Sequence, residues 1–517
     1  MVTGKPGVVL LTAGPGVTNA MTQVADCKLG NVPVLFLGGA SATSHDLTED
    51  LQEYDTLTMM KNNTIWSIEV QETHRIAEHI AIAFRNLTGA IPGPVYVELP
   101  MDILEINEVD EEIVRYPSRY RTDARIFGDP AEIEKAADLL VNAEKVAISI
   151  GDGAQYNCKN FSVFEELAEY LQIPTGVSMS NKGRFFKENK PLYQVSTLAE
   201  SQADVILLFS QKPHYQISLG LNPEAKIINV HRNSQHIGLN IPLEVGIIGY
   251  ADAVAEQILA AVKAKTAKRD SNPWVDELWA MKEAVFEGMF GEAATSDVIP
   301  MHPGRVASEI AKFMKTPESQ DLCYFVDGGD SLTWPLIMAG YHNCEQNFLA
   351  RTFYASYQGC IGASWGMLNG AYQALKKPIL HSIGDGSFGQ YVGELYTFAK
   401  FKIPYVCVIF NDNNWGMIKA FSMEKVPDQN HDIGAVIAPD YGDGYFHYET
   451  IANGWGGYGV CVKKPEDIIP EIKKAVEAAK SGKPAIVNCI TDCKDEYFSV
   501  ATKGLYTQLA DPINIRY

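Results

Sequence analysis

The sequence predicts an α/β protein of three doubly wound parallel-sheet domains, and three observations predict it. A chain of 517 residues is too long for one hydrophobic core and suggests about three domains at roughly 150 residues each. Short β-branched runs alternate with helix-period segments along its length. In the last third, two apolar runs each end in a cluster of glycine, aspartate or asparagine, as loops at the carboxyl ends of parallel strands do.

The first domain, residues 1–103, reads as strands "GVVLLTAG", "VPVLFLGG" and "GPVYVELP", with helices near Val17–Leu29 and Thr73–Leu87. A linker rich in charge and tyrosine, Glu105 to Tyr120, follows. The second domain, 129–264, opens with the helix "PAEIEKAADLLVNA" and continues with strands "VAISIGDG", "ADVILLFS" and "KIINVHR". Residues 265–300 read as a second linker containing an amphipathic helix. The third domain, 301–492, holds "CYFVDGGDS", "PILHSIGDG", "YVCVIFNDNN" and "AIVNCITD", and 493–517 read as an irregular tail. No internal repeat is expected.

Composition narrows the function. With 43 Lys and Arg against 63 Asp and Glu the net charge is −20, which argues against a nucleic-acid or anionic-membrane partner. No apolar run approaches the ~18 residues needed to span a bilayer. Met1-Val2-Thr3-Gly4-Lys5 leads straight into a strand without a signal-peptide pattern. The nine cysteines are scattered, and the closest pair, Cys489 and Cys493, lacks a second pair to complete a zinc site. Reduced thiols in a cytoplasmic protein are the expectation.

The most informative motif is Gly384-Asp385-Gly386, separated by 24 residues from Asn411-Asp412. A strand enters the first element, a helix follows, and a second strand ends in the other. Two hard oxygen ligands beside amide N–H groups at a helix start suit a Mg²⁺-bound diphosphate. Asn413-Asn414 is a second amide pair in range, so the register of the second ligand stays open on spacing alone.

This motif resembles the thiamine diphosphate signature of the acetolactate synthase/pyruvate decarboxylase family. "GKPGVVLLTAGPGVTNAMTQVADCKLGNVPVLFLGG" is similar to that family's pyrimidine-binding domain, and the resemblance extends over nearly the whole chain. It implies thiamine diphosphate and Mg²⁺, and a reaction that cleaves or joins a C–C bond beside a carbonyl. The family ligand lies four residues before a Gly-Met pair, here Gly416-Met417. The resemblance therefore implies Asp385, Asp412 and the Asn414 carbonyl as metal ligands. It also implies Gly384, Gly386, Ser387, Gly329 and Met417 as cofactor contacts. Ile361, in Gly359-Cys360-Ile361-Gly362, would be the wedge that bends the cofactor, and the Gly359 carbonyl would accept from its aminopyrimidine. Gln52 matches a glutamine that lines the substrate cleft. Asp330 departs from the polar pattern expected beside a phosphate, since a carboxylate there repels unless it faces away.

The family's activating glutamate lies about twenty residues before the "GKPGVV" strand. The resemblance thus implies an N-terminally shortened chain, with a catalytically impaired cofactor-binding homologue as one alternative. FAD is not expected, because His231 and Asn233 stand where a flavin-binding central domain carries acidic residues. Basic residues for a CoA phosphate are not clustered in the sequence. The expected substrate is a small 2-oxo acid, with a 2-oxo acid decarboxylase, an oxalyl-CoA-type lyase or a cyclic-dione hydrolase as alternatives. A homodimer or homotetramer is implied, since the family builds its cofactor site from two subunits.

Overall fold

Every strand pair in the described part of the chain is parallel, and the strands form three separate sheets. The computed structural model describes residues 3–105, 124–156, 158–178, 190–193, 195–212, 220–343, 352–354, 364–425 and 444–492, with a few isolated positions between them. The expected tail and most of the first linker lie outside these residues. Among the described residues no helix is long and apolar enough to cross a membrane.

The first sheet holds β1 (Gly7–Leu11), β2 (Val34–Ala40), β3 (Trp66–Glu69) and β4 (Val95–Pro100) in the order β1-β2-β4-β3. The second holds β5 (Val146–Ile150), β6 (Thr175–Val177), β7 (Val205–Phe209), β8 (Lys226–His231) and β9 (Val245–Ile248) in the order β6-β5-β7-β8-β9. The third holds β10 (Cys323–Val326), β11 (Thr352–Tyr354), β12 (Ile379–Gly384), β13 (Tyr405–Asn411), β14 (Tyr458–Val462) and β15 (Ala485–Ile490). Its order is β11-β10-β12-β13-β15-β14.

Strands β5, β7, β10, β13 and β15 are buried along their entire length. Helices cover both faces of each sheet, and each face carries its own apolar cluster, so these strands read as unbroken apolar runs. Three helices start the same way. Asp129, Asn272 and His302 each accept a backbone N–H with a side-chain atom, and a proline follows at the first helical position. The expected linker helix is Pro273–Thr295. Its Trp274 and Leu278 pack in the second domain, and Phe290, Ala293 and Ala294 pack in the third. One rod thus joins two cores.

Strand order positions the clefts. In the third sheet the chain steps from β10 to β11 in one direction, then crosses to β12 and β13 in the other. The second sheet does the same from β5, with β6 on one side and β7 on the other. Such a reversal leaves a crevice beyond the carboxyl ends of the two central strands.

Candidate active site

The carboxyl ends of β10, β12 and β13 enclose a cleft of about 200 Å³ at the reversal point of the third sheet. Gly329, Gly384, Asp385, Gly386, Ser387, Asp412, Asn414 and Met417 all line it. Gly384 pairs with Phe410 in the β12–β13 register, so the chain leaves the sheet at neighbouring points. The first turns of the helices Asp330–Tyr341, Asp385–Gln390 and Gly416–Lys425 face the same space, offering amide N–H groups to an anion. Gly329 has φ +78°, and a Cβ there would sit 3.9 Å from Met417 Sδ, which sets these two residues against each other.

In the loop after β13, Asn413 points differently from its two neighbours. Asn413 takes φ +58°, a left-handed conformation that asparagine tolerates. Its side chain turns away from the cleft: Nδ2 donates to the Gly444 carbonyl and Oδ1 accepts the Phe446 N–H at 3.2 Å. Asp412 and Asn414, on either side, line the cleft instead. The Asn414 N–H donates to Asp412 Oδ1 at 2.9 Å, and Asn414 Nδ2 donates to the Asp412 carbonyl at 2.6 Å.

The electrostatics fit a cation. Asp385 Oδ1 accepts the Gly386 N–H at 2.8 Å, while Oδ2 is buried with no hydrogen-bond partner among the described residues. Burial, and then the neighbouring Asp412, hold the Asp385 carboxyl well above the ordinary carboxylate range. Asp412 is pushed up to about 7 by burial, with Asp330 adding to the shift; the Asn414 N–H and Lys419 oppose it. An uncompensated buried charge costs several kcal/mol. A divalent ion between these carboxylates would remove that cost. Asp330, which departs from the expected polar pattern, is part of the same cleft. Its Oδ1 accepts from Thr333 Oγ1 at 2.9 Å and the residue lines the cleft, where it raises the demand for positive charge.

Three family models match the chain: the N-terminal TPP binding domain of thiamine pyrophosphate enzymes over residues 1–59, the central domain over 133–258, and the C-terminal TPP binding domain over 335–489. The chain belongs to the thiamine pyrophosphate enzymes. It is thus an enzyme dependent on thiamine diphosphate, and acetolactate synthase-like. It is 26% identical to a probable acetolactate synthase large subunit of Methanocaldococcus jannaschii, over 99% of this chain and 86% of that protein. Human 2-hydroxyacyl-CoA lyase 2 is 25% identical, over 96% and 82%. Oxalyl-CoA decarboxylase of Escherichia coli is 24% identical, over 95% and 84%.

Not every expected residue of this thiamine pyrophosphate enzyme meets in the cleft. Gln52 is exposed in the first domain with φ +63°; its carbonyl oxygen would lie 2.7 Å from a Cβ on Gly14, so the Gly14 turn and Gln52 form one surface there. Gly359 and Ile361 lie outside the described residues.

A second cleft, of about 140 Å³, escaped the sequence reading. It lies at the reversal point of the second sheet and gathers Lys212, His231, Arg232 and His236. The expectation that basic residues are not clustered is thereby corrected: they leave the ends of β7 and β8, which are neighbours only in the sheet. Arg232 is buried, its guanidinium 5.9 Å over the Tyr250 ring, and both terminal nitrogens lack hydrogen-bond partners among the described residues. Burial drives His231 down to about 3, with His236 and Arg232 adding to the effect. A signal was present in the chain. The pentapeptide Ser-Ile-Gly-Asp-Gly occurs at 149–153 and again at 382–386, once at each reversal point, which corrects the expectation of no internal repeat. At Gly151 a Cβ would come within 2.3 Å of Gln211 Cα, so only glycine lets the two strand ends approach.

Sequence reasoning also passed over Glu98, a lone acid inside the apolar strand β4. It is buried and accepts from Thr56 Oγ1 and from the Tyr96 hydroxyl at 2.5 Å; burial holds its carboxyl above the ordinary range.

Proposed function

We propose that this chain cleaves or joins C–C bonds of a small 2-oxo acid in an acetolactate synthase-like reaction, with thiamine diphosphate anchored through Mg²⁺. The orphaned Asp385 oxygen beside Asp412, at a sheet reversal point lined by helix first turns, carries this reading. Asp385 and Asp412 would hold the cation with the Asn414 carbonyl. Gly384, Gly386, Ser387 and Gly329 would present N–H and hydroxyl groups to the diphosphate, and Met417 would close one wall. Bound there, the cofactor supplies the carbanion chemistry at a carbonyl carbon. The chain contributes orientation, charge balance and exclusion of water.

By family resemblance Ile361 supplies the wedge, Gly359 receives the aminopyrimidine, and Gln52 faces the substrate from a second subunit. The working unit is then a homodimer or homotetramer. We assign domain limits of 1–103, 129–264 and 301–492, a cytoplasmic location, and no flavin. Incubation with a panel of 2-oxo acids, followed by mass spectrometry of the products, tests the reading. A protein that binds Mg²⁺ and thiamine diphosphate yet converts no member of the panel would overturn it in favour of an impaired homologue.

One observation favours a second reading. The Arg232 guanidinium, whose terminal nitrogens lack hydrogen-bond partners among the described residues, is suited with Lys212 and His236 to phosphates of an acyl-CoA. Both the lyase and the decarboxylase named above act on such thioesters by their names. Turnover of oxalyl-CoA or a 2-hydroxyacyl-CoA in preference to free 2-oxo acids would decide for it.

A further inference from the structure

We propose that His447, Glu449 and Cys461 form a second metal site in the third domain, selective for a zinc-class divalent ion. Their ligand atoms, an imidazole nitrogen, a carboxylate oxygen and a thiol sulfur, all lie within 4.8 Å of one another. Cys461 sits on the edge strand β14, opposite Asn488 of β15. Glu449 opens the helix Glu449–Gly454, and His447 lies two residues before it. Two stretches of chain, 447–449 and the edge strand β14, thus deliver three different donors to one spot.

The donor set chooses the metal. Nitrogen, oxygen and sulfur together suit zinc, with bonds of about 2.0–2.3 Å, whereas magnesium requires oxygen ligands. Tetrahedral bonds of that length separate ligand atoms by roughly 3.3–3.8 Å, so a side-chain rotation of about 1 Å closes the site. The carboxylate is already fixed. Glu449 is buried, its Oε1 is 2.9 Å from His447 Nδ1, and its Oε2 accepts from Asn488 Nδ2 at 2.8 Å. Such outer hydrogen bonds orient metal ligands. The His447 side chain is 44% exposed, which gives the ion an entry path and leaves water for the fourth position. On binding, the Cys461 thiol gives its proton to solvent and the imidazole keeps one proton on the nitrogen not used.

The site is wired to the cofactor loop. Asn488 Oδ1 accepts from Asn411 Nδ2 at 3.0 Å, and Asn411 Oδ1 accepts the Asn413 N–H at 3.2 Å, next to Asp412. An ion at Glu449 therefore acts on the same hydrogen-bond chain that shapes the Asp412 loop.

Cobalt reports this site without confusion with the carboxylate pair, because only a thiolate gives an intense near-ultraviolet charge-transfer band. The whole chain, stripped with chelator and resupplied with Mg²⁺, is titrated with Co²⁺. One equivalent should produce the band, and one equivalent of Zn²⁺ should remove it. Cys461→Ser should abolish the band, and His447→Ala, at an exposed position, should weaken Co²⁺ binding at least tenfold. Both variants should keep Mg²⁺-dependent thiamine diphosphate binding, which reports the fold. Absence of the band in the native protein, or an undiminished band in Cys461→Ser, overturns the site; undiminished affinity in His447→Ala removes the histidine and overturns it as stated.

Discussion

Gly384 pairs with Phe410 in the β12–β13 register, which sets Asp385 and Asp412 beside each other just past the ends of two adjacent strands. The two carboxylates thus stand at one corner of the sheet and line the same cleft.

Asp385→Asn should separate function from stability. Losing the charged ligand should weaken Mg²⁺-dependent thiamine diphosphate binding by about 100-fold, or roughly 2.7 kcal/mol. In the absence of cation the same change removes a buried, repelled carboxyl, so the melting temperature should hold or rise. Circular dichroism titrations and thermal melts check both halves. A large drop in apo stability would mean that Asp385 is a structural acid.

Acid should destabilise the protein through its buried histidines. His381, hydrogen-bonded to Tyr405 at 2.9 Å, is held down to about 3 by burial, against an ordinary value near 6.5. Between those values the unfolded chain binds a proton that the folded chain does not. Stability is therefore present above about pH 6.5 and is lost as pH falls, at about 1.4 kcal/mol per pH unit for one such group. His381→Gln should flatten the acid limb of the unfolding free energy from urea titrations by that amount. An unchanged slope would mean that this histidine is not buried neutral.

Arg232→Ala should leave kcat/KM for a small 2-oxo acid within about twofold, since the central cleft lies apart from the carboxylate pair. If acyl-CoA is the substrate, KM for it should rise at least tenfold, the scale of one lost charge-assisted contact. Steady-state kinetics with both substrates distinguish the outcomes.

Assembly should be required for cofactor binding. The first domain exposes Leu51 at 85% and Leu47 at 97%, on either side of the turn that carries Glu49 and close to Gln52. If the proposed homo-oligomer uses this face, Leu51→Glu should give a monomer in analytical ultracentrifugation and lose thiamine diphosphate binding with Asp385 intact. A monomer that still binds the cofactor tightly would contradict a shared site.

The strands legible in the sequence and those missed differ in a physical way. Among the described residues all interior strands were read, because burial on both faces requires an unbroken apolar run. The missed ones, β3, β6, β9, β11 and β14, are every one an edge strand. Edges are covered on fewer sides, and β9 alternates buried with exposed while β3 is half-buried throughout, so no run marks them.

The sequence by itself determined the three α/β units, the Gly384-Asp385-Gly386 turn and the Asn/Asp cluster at 411–414, because each rests on residues close together in the chain. Only tertiary structure decided that Asn413 turns away while Asp412 faces the cleft, since its side chain is held by residues 444–446. Tertiary structure also gathered Lys212, Arg232 and His236, and separately His447, Glu449 and Cys461. Strand order is set by which faces pack together, and a linear pattern of apolar residues records that a face is buried but not against which neighbour.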